Sequence, residues 1–158
     1  MRKFTICTIA LAAFLGLGRP ASADATAFIG SMSSAERRQV RGFAVGVGLL
    51  VIGFEFEYAD SPDDLTTAAP AVKTWMGNVL AQTPTAALQL YGTIGAGLYR
   101  ESLDVRQTTG VGVNTGGGIK LKLTGPLRLR IDYRVFTFRG TPRYANPQRI
   151  YAGVNVKF

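Results

Sequence analysis

Residues 127–136 read LRLRIDYRVF, with Leu127, Leu129, Ile131, Tyr133 and Val135 on one parity and Arg128, Arg130, Asp132, Arg134 and Phe136 on the other. Successive side chains of a strand point to opposite faces, so one face of this segment is apolar and the other carries four charges. A strand buried on both faces would read as a continuous apolar run. The charged face must therefore meet water or other charges, and the apolar face must meet something apolar.

The same two-residue alternation recurs in both directions along the chain, and no stretch after residue 24 holds a 3.6-residue apolar period of helical length. Strands are predicted over about 25–31, 42–49, 52–59, 73–82, 87–101, 110–123, 127–136 and 151–158, an all-β chain of eight strands. The links 83–85 (Thr-Pro-Thr) and 124–126 (Thr-Gly-Pro) are short, since Gly accepts a positive φ and Pro cannot donate to a ladder. Leu49, Leu50 and Val51 lack turn residues, so residues 42–59 read either as a tight hairpin or as one long bent strand. Longer links are expected at about 32–41, 60–72, 102–109 and 139–148. Short turns at one end and longer loops at the other, with strands near the ~9–11 residues needed to cross an apolar layer, describe an eight-stranded antiparallel up-and-down transmembrane β-barrel. A closed barrel is one of two ways to span lipid with every backbone group paired.

The two ends of the chain agree with this reading. Arg2 and Lys3 precede an apolar run over 4–17, and Ala21-Ser22-Ala23 follows, the pattern of a cleaved secretory signal. Residues 1–23 are thus expected to be removed and residues 24–158 to form one barrel domain. Cys7 goes with the signal, leaving no thiol for a disulfide or a metal. Losing Arg2, Lys3 and Arg19 takes the eighteen basic residues to fifteen against ten acidic ones, so the net charge falls from +8 to +5. That charge is scattered, unlike the basic stripe of a nucleic-acid reader. At the other end, residues 151–158 (YAGVNVKF) alternate again, with Ala152, Val154, Val156 and Phe158 on the apolar face.

Tyr151, Gly153, Val156 and the final Phe158 resemble the C-terminal signal by which bacterial outer-membrane barrels are recognised for insertion. Residues 42–60, GFAVGVGLLVIGFEFEYAD, resemble the first hairpin of the small outer-membrane barrel family that includes the OmpA transmembrane domain, OmpX and OmpW-like proteins. The resemblance covers the whole mature chain and implies a monomeric barrel in the outer membrane, inserted by the barrel-assembly machinery. It implies little about activity, because such barrels serve as anchors, adhesins, lipid enzymes and narrow channels.

With the apolar faces against lipid, the lumen would contain Glu55, Glu57, Lys120, Lys122, Arg128, Arg130, Asp132, Arg134 and Lys157. An eight-stranded barrel has an interior just wide enough for side chains, so a network linking Glu55 and Glu57 to Arg130 or Arg134 is predicted. Lys120, Lys122, Arg128 and Lys157 should make the periplasmic mouth basic, either as a constriction for anions or as solvated groups at a closed floor. The lumenal glycines (Gly42, Gly46, Gly48, Gly95, Gly97, Gly116, Gly118) either leave space or permit tight curvature. Tyr58, Trp75 and Tyr133 fall on the lipid-facing parity toward the outer strand ends, where aromatic rings settle at headgroup level. Arg37, Arg38, Arg41, Arg139, Arg143 and Arg149 are assigned to two adjacent outer loops, where guanidinium groups would grip lipopolysaccharide phosphates.

The chain contains no His, which excludes a Ser-His-acid arrangement. Gly116-Gly117-Gly118 sits within a strand rather than before a helix, and Asp60, Asp63 and Asp64 flank Pro62 without a recognised ligand spacing. No catalytic, cofactor or metal site is expected. The sequence thus favours a structural or surface-interaction barrel, with a narrow channel for small solutes as the alternative. A soluble periplasmic lipocalin-like barrel would require the inverse orientation, with Arg128, Arg130 and Arg134 outside.

Overall fold

The computed structural model describes residues 22–33, 37–64 and 69–158. They form eight strands, β1 (Ser22–Ser33), β2 (Arg37–Leu49), β3 (Ile52–Ser61), β4 (Ala71–Gln82), β5 (Leu88–Leu103), β6 (Arg106–Thr124), β7 (Leu127–Phe138) and β8 (Gln148–Lys157). Each strand pairs antiparallel with its neighbour in sequence, and β1 closes on β8 from Asp24↔Lys157 to Ser33↔Gln148. No edge is left unpaired, which is what a backbone in lipid requires.

The strands run longer than hydrophobic alternation predicts, chiefly at the loop end. β2 begins at Arg37, so the link expected over 32–41 shrinks to residues 34–36. The loop expected over 102–109 becomes the two-residue turn Asp104-Val105, with Ser102↔Gln107 and Arg100↔Thr109 paired beneath it. Most residues of these extensions are polar (Arg37, Arg38, Gln39, Arg106, Gln107, Thr108, Gln148 and Arg149), with apolar ones such as Met32, Val40 and Ile150 isolated among them, so the ladder continues where apolar periodicity is too sparse to signal a strand. In sequence, nine residues separate β3 from β4 and nine separate β7 from β8, while the other two intervals at this end are short. β8 likewise starts at Gln148 instead of Tyr151. Most of the expected signal, residues 1–21, lies outside the described residues. Ser22 and Ala23 are drawn into β1 opposite Gly48 and Val47.

Leu49 and Ile52 are paired, so residues 42–59 form a hairpin around Leu50-Val51 rather than one bent strand. The three two-residue turns share one geometry, in which only the first residue has a positive φ: Leu50 (56°), Asp104 (53°) and Gly125 (52°). That is the pattern of a II′ hairpin turn, whose preferred first residue is Gly. Leu50 occupies it at a steric cost, so Leu50→Gly is expected to stabilise the barrel by about 1 kcal/mol. Urea-titrated refolding into vesicles measures this, and an unchanged or lower midpoint would contradict it.

Outward side chains form an apolar belt, with Phe43, Val45, Phe54, Phe56, Ile94, Leu98, Val111, Ile131 and Val154 all exposed. The interior divides by height. Toward the loop end it is packed with Phe28, Met32, Val40, Ala59, Val72, Met76, Tyr99, Phe136, Phe138 and Tyr151. The rings of Phe28 and Tyr151 stack at 4.0 Å, and those of Tyr99 and Phe138 at 4.2 Å. The mid-height interior is charged.

Candidate functional site

β3 and β7 lie diametrically opposite, four strand steps apart whichever way the barrel is followed. The alternation of each strand aims Glu55 and Glu57 inward from one wall and Arg130, Asp132 and Arg134 inward from the other. They meet at the centre. Arg130 forms an ion pair with Glu55 through Nη1, and its Nη2 donates to Glu55 Oε1 at 3.2 Å and Asp132 Oδ2 at 3.1 Å. Arg134 Nη2 lies 2.9 Å from Glu55 Oε1 and 3.2 Å from Glu57 Oε2, and its Nε is 2.9 Å from Asp132 Oδ1. The remaining valence of Glu57 is taken by Arg149 from β8. Arg130, Asp132, Arg134, Arg149 and Glu57 have no solvent exposure.

Three guanidiniums thus face three carboxylates, and the cluster is neutral. Buried charges persist only when paired and hydrogen-bonded, and this network meets that demand with neutral groups as well. Tyr91 donates its hydroxyl to Asp132 and receives Arg130 Nε at 2.7 Å. Tyr151 donates to Glu57 Oε2 at 3.1 Å, and Asn78 donates to Glu55 Oε1 at 3.5 Å. The Arg149 guanidinium also faces the rings of Phe136 (4.7 Å), Phe28 and Tyr151 (both 5.6 Å), cation–π contacts that couple the charged layer to the aromatic layer above it.

Below the network the expected basic mouth is reshaped. Lys120 is buried and donates to Asp24 at 2.6 Å, and Arg128 is buried and donates to Gln89 Oε1 at 3.0 Å. Lys122, expected in the lumen, is exposed beside the register shift between Lys122 and Thr124, and Lys157 is half-buried at the rim. A cavity of about 490 Å³ opens at this turn end between Ser22, Gln82, Gln89, Arg128, Lys157 and Phe158. Above it only a slot of about 10 Å³ remains, against Gly46, Gly48, Gly53, Glu55 and Lys120. That is room for one water.

Four of the six arginines assigned to outer loops lie on strands instead, Arg37, Arg38 and Arg41 on β2 and Arg149 on β8, and two of these four turn inward. Arg38 lies on the inward parity of β2, buried at the rim, where it donates to the carbonyl oxygens of Pro62 (3.4 Å) and Pro70. Arg149 lies on the inward parity of β8, in register with Tyr151 and Asn155. Extending the alternation of 151–158 two residues backwards would have found it. Arg37, Arg41, Arg139 and Arg143 are exposed, with Arg41 4.0 Å from Asp60 and the Arg143 backbone N–H donating to Glu101 at 2.9 Å. In the C-terminal strand Tyr151 and Gly153 face inward and Val156 outward, and Phe158 is 74% exposed. Gly153 packs against Phe28, where an added Cβ would stand 2.8 Å from the Phe28 Cβ.

Among the described residues no group of three or more His, Cys, Asp or Glu is placed to hold a metal. The inverse, lipocalin-like orientation is not adopted, since Arg128, Arg130 and Arg134 are buried inside and the apolar faces are outside.

No protein-family model and no curated protein sequence matches the chain. Solved structures do. Neisserial surface protein A (NspA) superposes with a TM-score of 0.72 at 17% identity, covering 87% of this chain and 97% of that one. The N-terminal β-barrel domain of Pseudomonas aeruginosa OprF gives 0.65 at 15% identity, covering 88% and 100%. The outer membrane enzyme PagL gives 0.53 at 8% identity, covering 84% and 98%. Because an enzyme shares the architecture, the fold by itself does not decide for or against catalysis. What the topology, the exposed apolar belt and these superpositions establish together is the architecture: this chain has the fold of the small eight-stranded outer-membrane β-barrels.

Proposed function

We propose that the protein is a monomeric integral outer-membrane barrel with a structural or surface-interaction role, exported by a signal ending near Ala23 and inserted through its C-terminal strand. One observation carries this reading. The apolar side chains form the outer belt, while the charges inside neutralise one another across the lumen. A protein of the aqueous phase would place these faces the other way round. The reading is non-enzymatic, because a chain without His offers no histidine base and the mid-lumen carboxylates Glu55, Glu57 and Asp132 are each held by arginine.

Outer-membrane fractionation with heat-modifiable gel mobility tests location and closure together. A mature chain that stays monomeric without detergent would overturn the assignment. A pore is disfavoured by the same packing, since Arg130, Arg134, Arg149, Tyr151, Phe136 and Met76 fill the cross-section. The purified barrel is expected to be silent in planar bilayers, and a stepwise conductance would restore the narrow-channel reading.

A further inference from the structure

The register of the sheet aligns two rows on the outer surface. In one register row Phe43, Tyr58, Trp75 and Leu98 are consecutive cross-strand partners from β2 to β5, with ring centroids 5.6 Å apart at both aromatic contacts. One outward step nearer the loop end, Arg41, Asp60, Lys73 and Arg100 are partners on the same four strands. Arg41 and Arg100 are exposed, and the Arg100 guanidinium lies 5.8 Å from the Trp75 ring centroid. Followed the other way from Arg41, the same register row reads Ile29, Ala152 and Ile131, because tilted strands carry it down into the mid-barrel apolar belt.

Aromatic rings settle at the headgroup level of a bilayer, so a row one step above them lies among lipid head groups. Strands are about 4.8 Å apart, and the three steps from Arg41 to Arg100 cover roughly 14 Å, further than one phosphate group reaches. We infer that β2–β5 carry a binding site for one phosphorylated glycolipid of the outer leaflet, its phosphates held by Arg41, Lys73 and Arg100 and its acyl chains lying on the aromatic row beneath. The inference rests on the membrane reading above. Arginine and lysine supply the charge complementarity, with guanidinium forks suited to phosphate oxygens. Asp60 lies in the row 4.0 Å from Arg41 and opposes an anion there. It makes the site weaker than its three cations alone would be.

Trp75 is the chain's one tryptophan and lies within the site, so its emission reports occupancy. The full mature barrel in detergent micelles is titrated with lipid A, with lipid A stripped of its phosphates, and with inorganic pyrophosphate. A saturable change is expected with lipid A alone. The variant R41Q/K73Q/R100Q should raise the half-saturating mole fraction at least tenfold, D60N should lower it several-fold, and R37Q/R139Q/R143Q, beyond the row at the loop end, should stay within twofold. The proposal is overturned if the first triple variant titrates like the wild type, if the loop-end triple loses as much, if dephosphorylated lipid A binds equally well, or if D60N weakens binding. Heat-modifiable mobility on the same samples separates the two failures. No mobility shift sinks the membrane barrel, whereas a shift without a Trp75 response sinks only the lipid site.

Discussion

Arg130→Met is expected to cost the barrel about 3–5 kcal/mol, the usual penalty for removing one partner from a buried ion cluster. Arg130 spans the lumen from β7 to Glu55 on the opposite wall and also holds Asp132 and the Tyr91 hydroxyl. Without it three buried carboxylates share two guanidiniums. Arg134 remains within reach of Glu55, Glu57 and Asp132 but is already engaged by all three. Urea-titrated refolding into vesicles, read by heat-modifiable mobility, measures the loss. Adding Glu55→Gln should recover a substantial part of it, because the double variant restores two carboxylates against two guanidiniums. A single variant as stable as wild type would mean that the network contributes nothing net, and a double variant no better than the single would show that charge balance is not the cause.

Gly116→Ala should be among the more damaging one-methyl changes in the sheet. A Cβ built on Gly116 overlaps the Tyr133 carbonyl oxygen and stands 2.9 Å from the Arg134 Cα, so backbone rather than a movable side chain is in the way. Overpacking of this kind costs about 1–3 kcal/mol, and here it also displaces the strand that presents Arg134. Gly92→Ala is the matched control. Its Cβ would point outward with only the Gly116 carbonyl oxygen at 3.9 Å, and the refolding midpoint should match wild type or exceed it. Equal effects at the two positions would refute the close-approach explanation.

That contrast answers a question that alternation leaves open, whether lumenal glycines make space or allow close approach. They do both, at different heights. Gly97 and Gly116 sit where a neighbouring strand's backbone leaves no room for a methyl, whereas Gly53 beside the turn-end slot has its nearest foreign atom at 3.6 Å. Parity is identical for all three. The difference is set by local twist and the neighbour's path, which no single-strand pattern encodes.

The rest of the site divides the same way. That Glu55, Glu57, Arg128, Arg130, Asp132 and Arg134 face one compartment and the apolar residues another follows from alternation alone, because Cβ direction is a local property of extended chain. Arg149 is equally legible by parity, since it lies between the outward Ile150 and Gln148, but arginine charge at the end of a long link reads as loop. Arg38 escapes the pattern because its strand continues past the point where the outer face, Arg37, Gln39 and Arg41, stops being apolar. Asp24 as the partner of Lys120, and Tyr91 as the partner of Arg130, had no sequence signal at all. These pairs are 96 and 39 residues apart and meet only through the lumen.

The sequence by itself determined the two faces of every strand, the eight-strand count and the segregation of charge from lipid-compatible surface, because each depends on a two-residue period that the chain carries locally. Only the tertiary structure decided which charge meets which. Closure of β1 on β8 and the cross-strand register fix the height of every inward group, and height determines that Glu57 pairs with Arg149 and Arg134 while Arg128 is left to Gln89. The same register, read on the outer surface, is what aligns Arg41, Lys73 and Arg100 from three separate strands into one row.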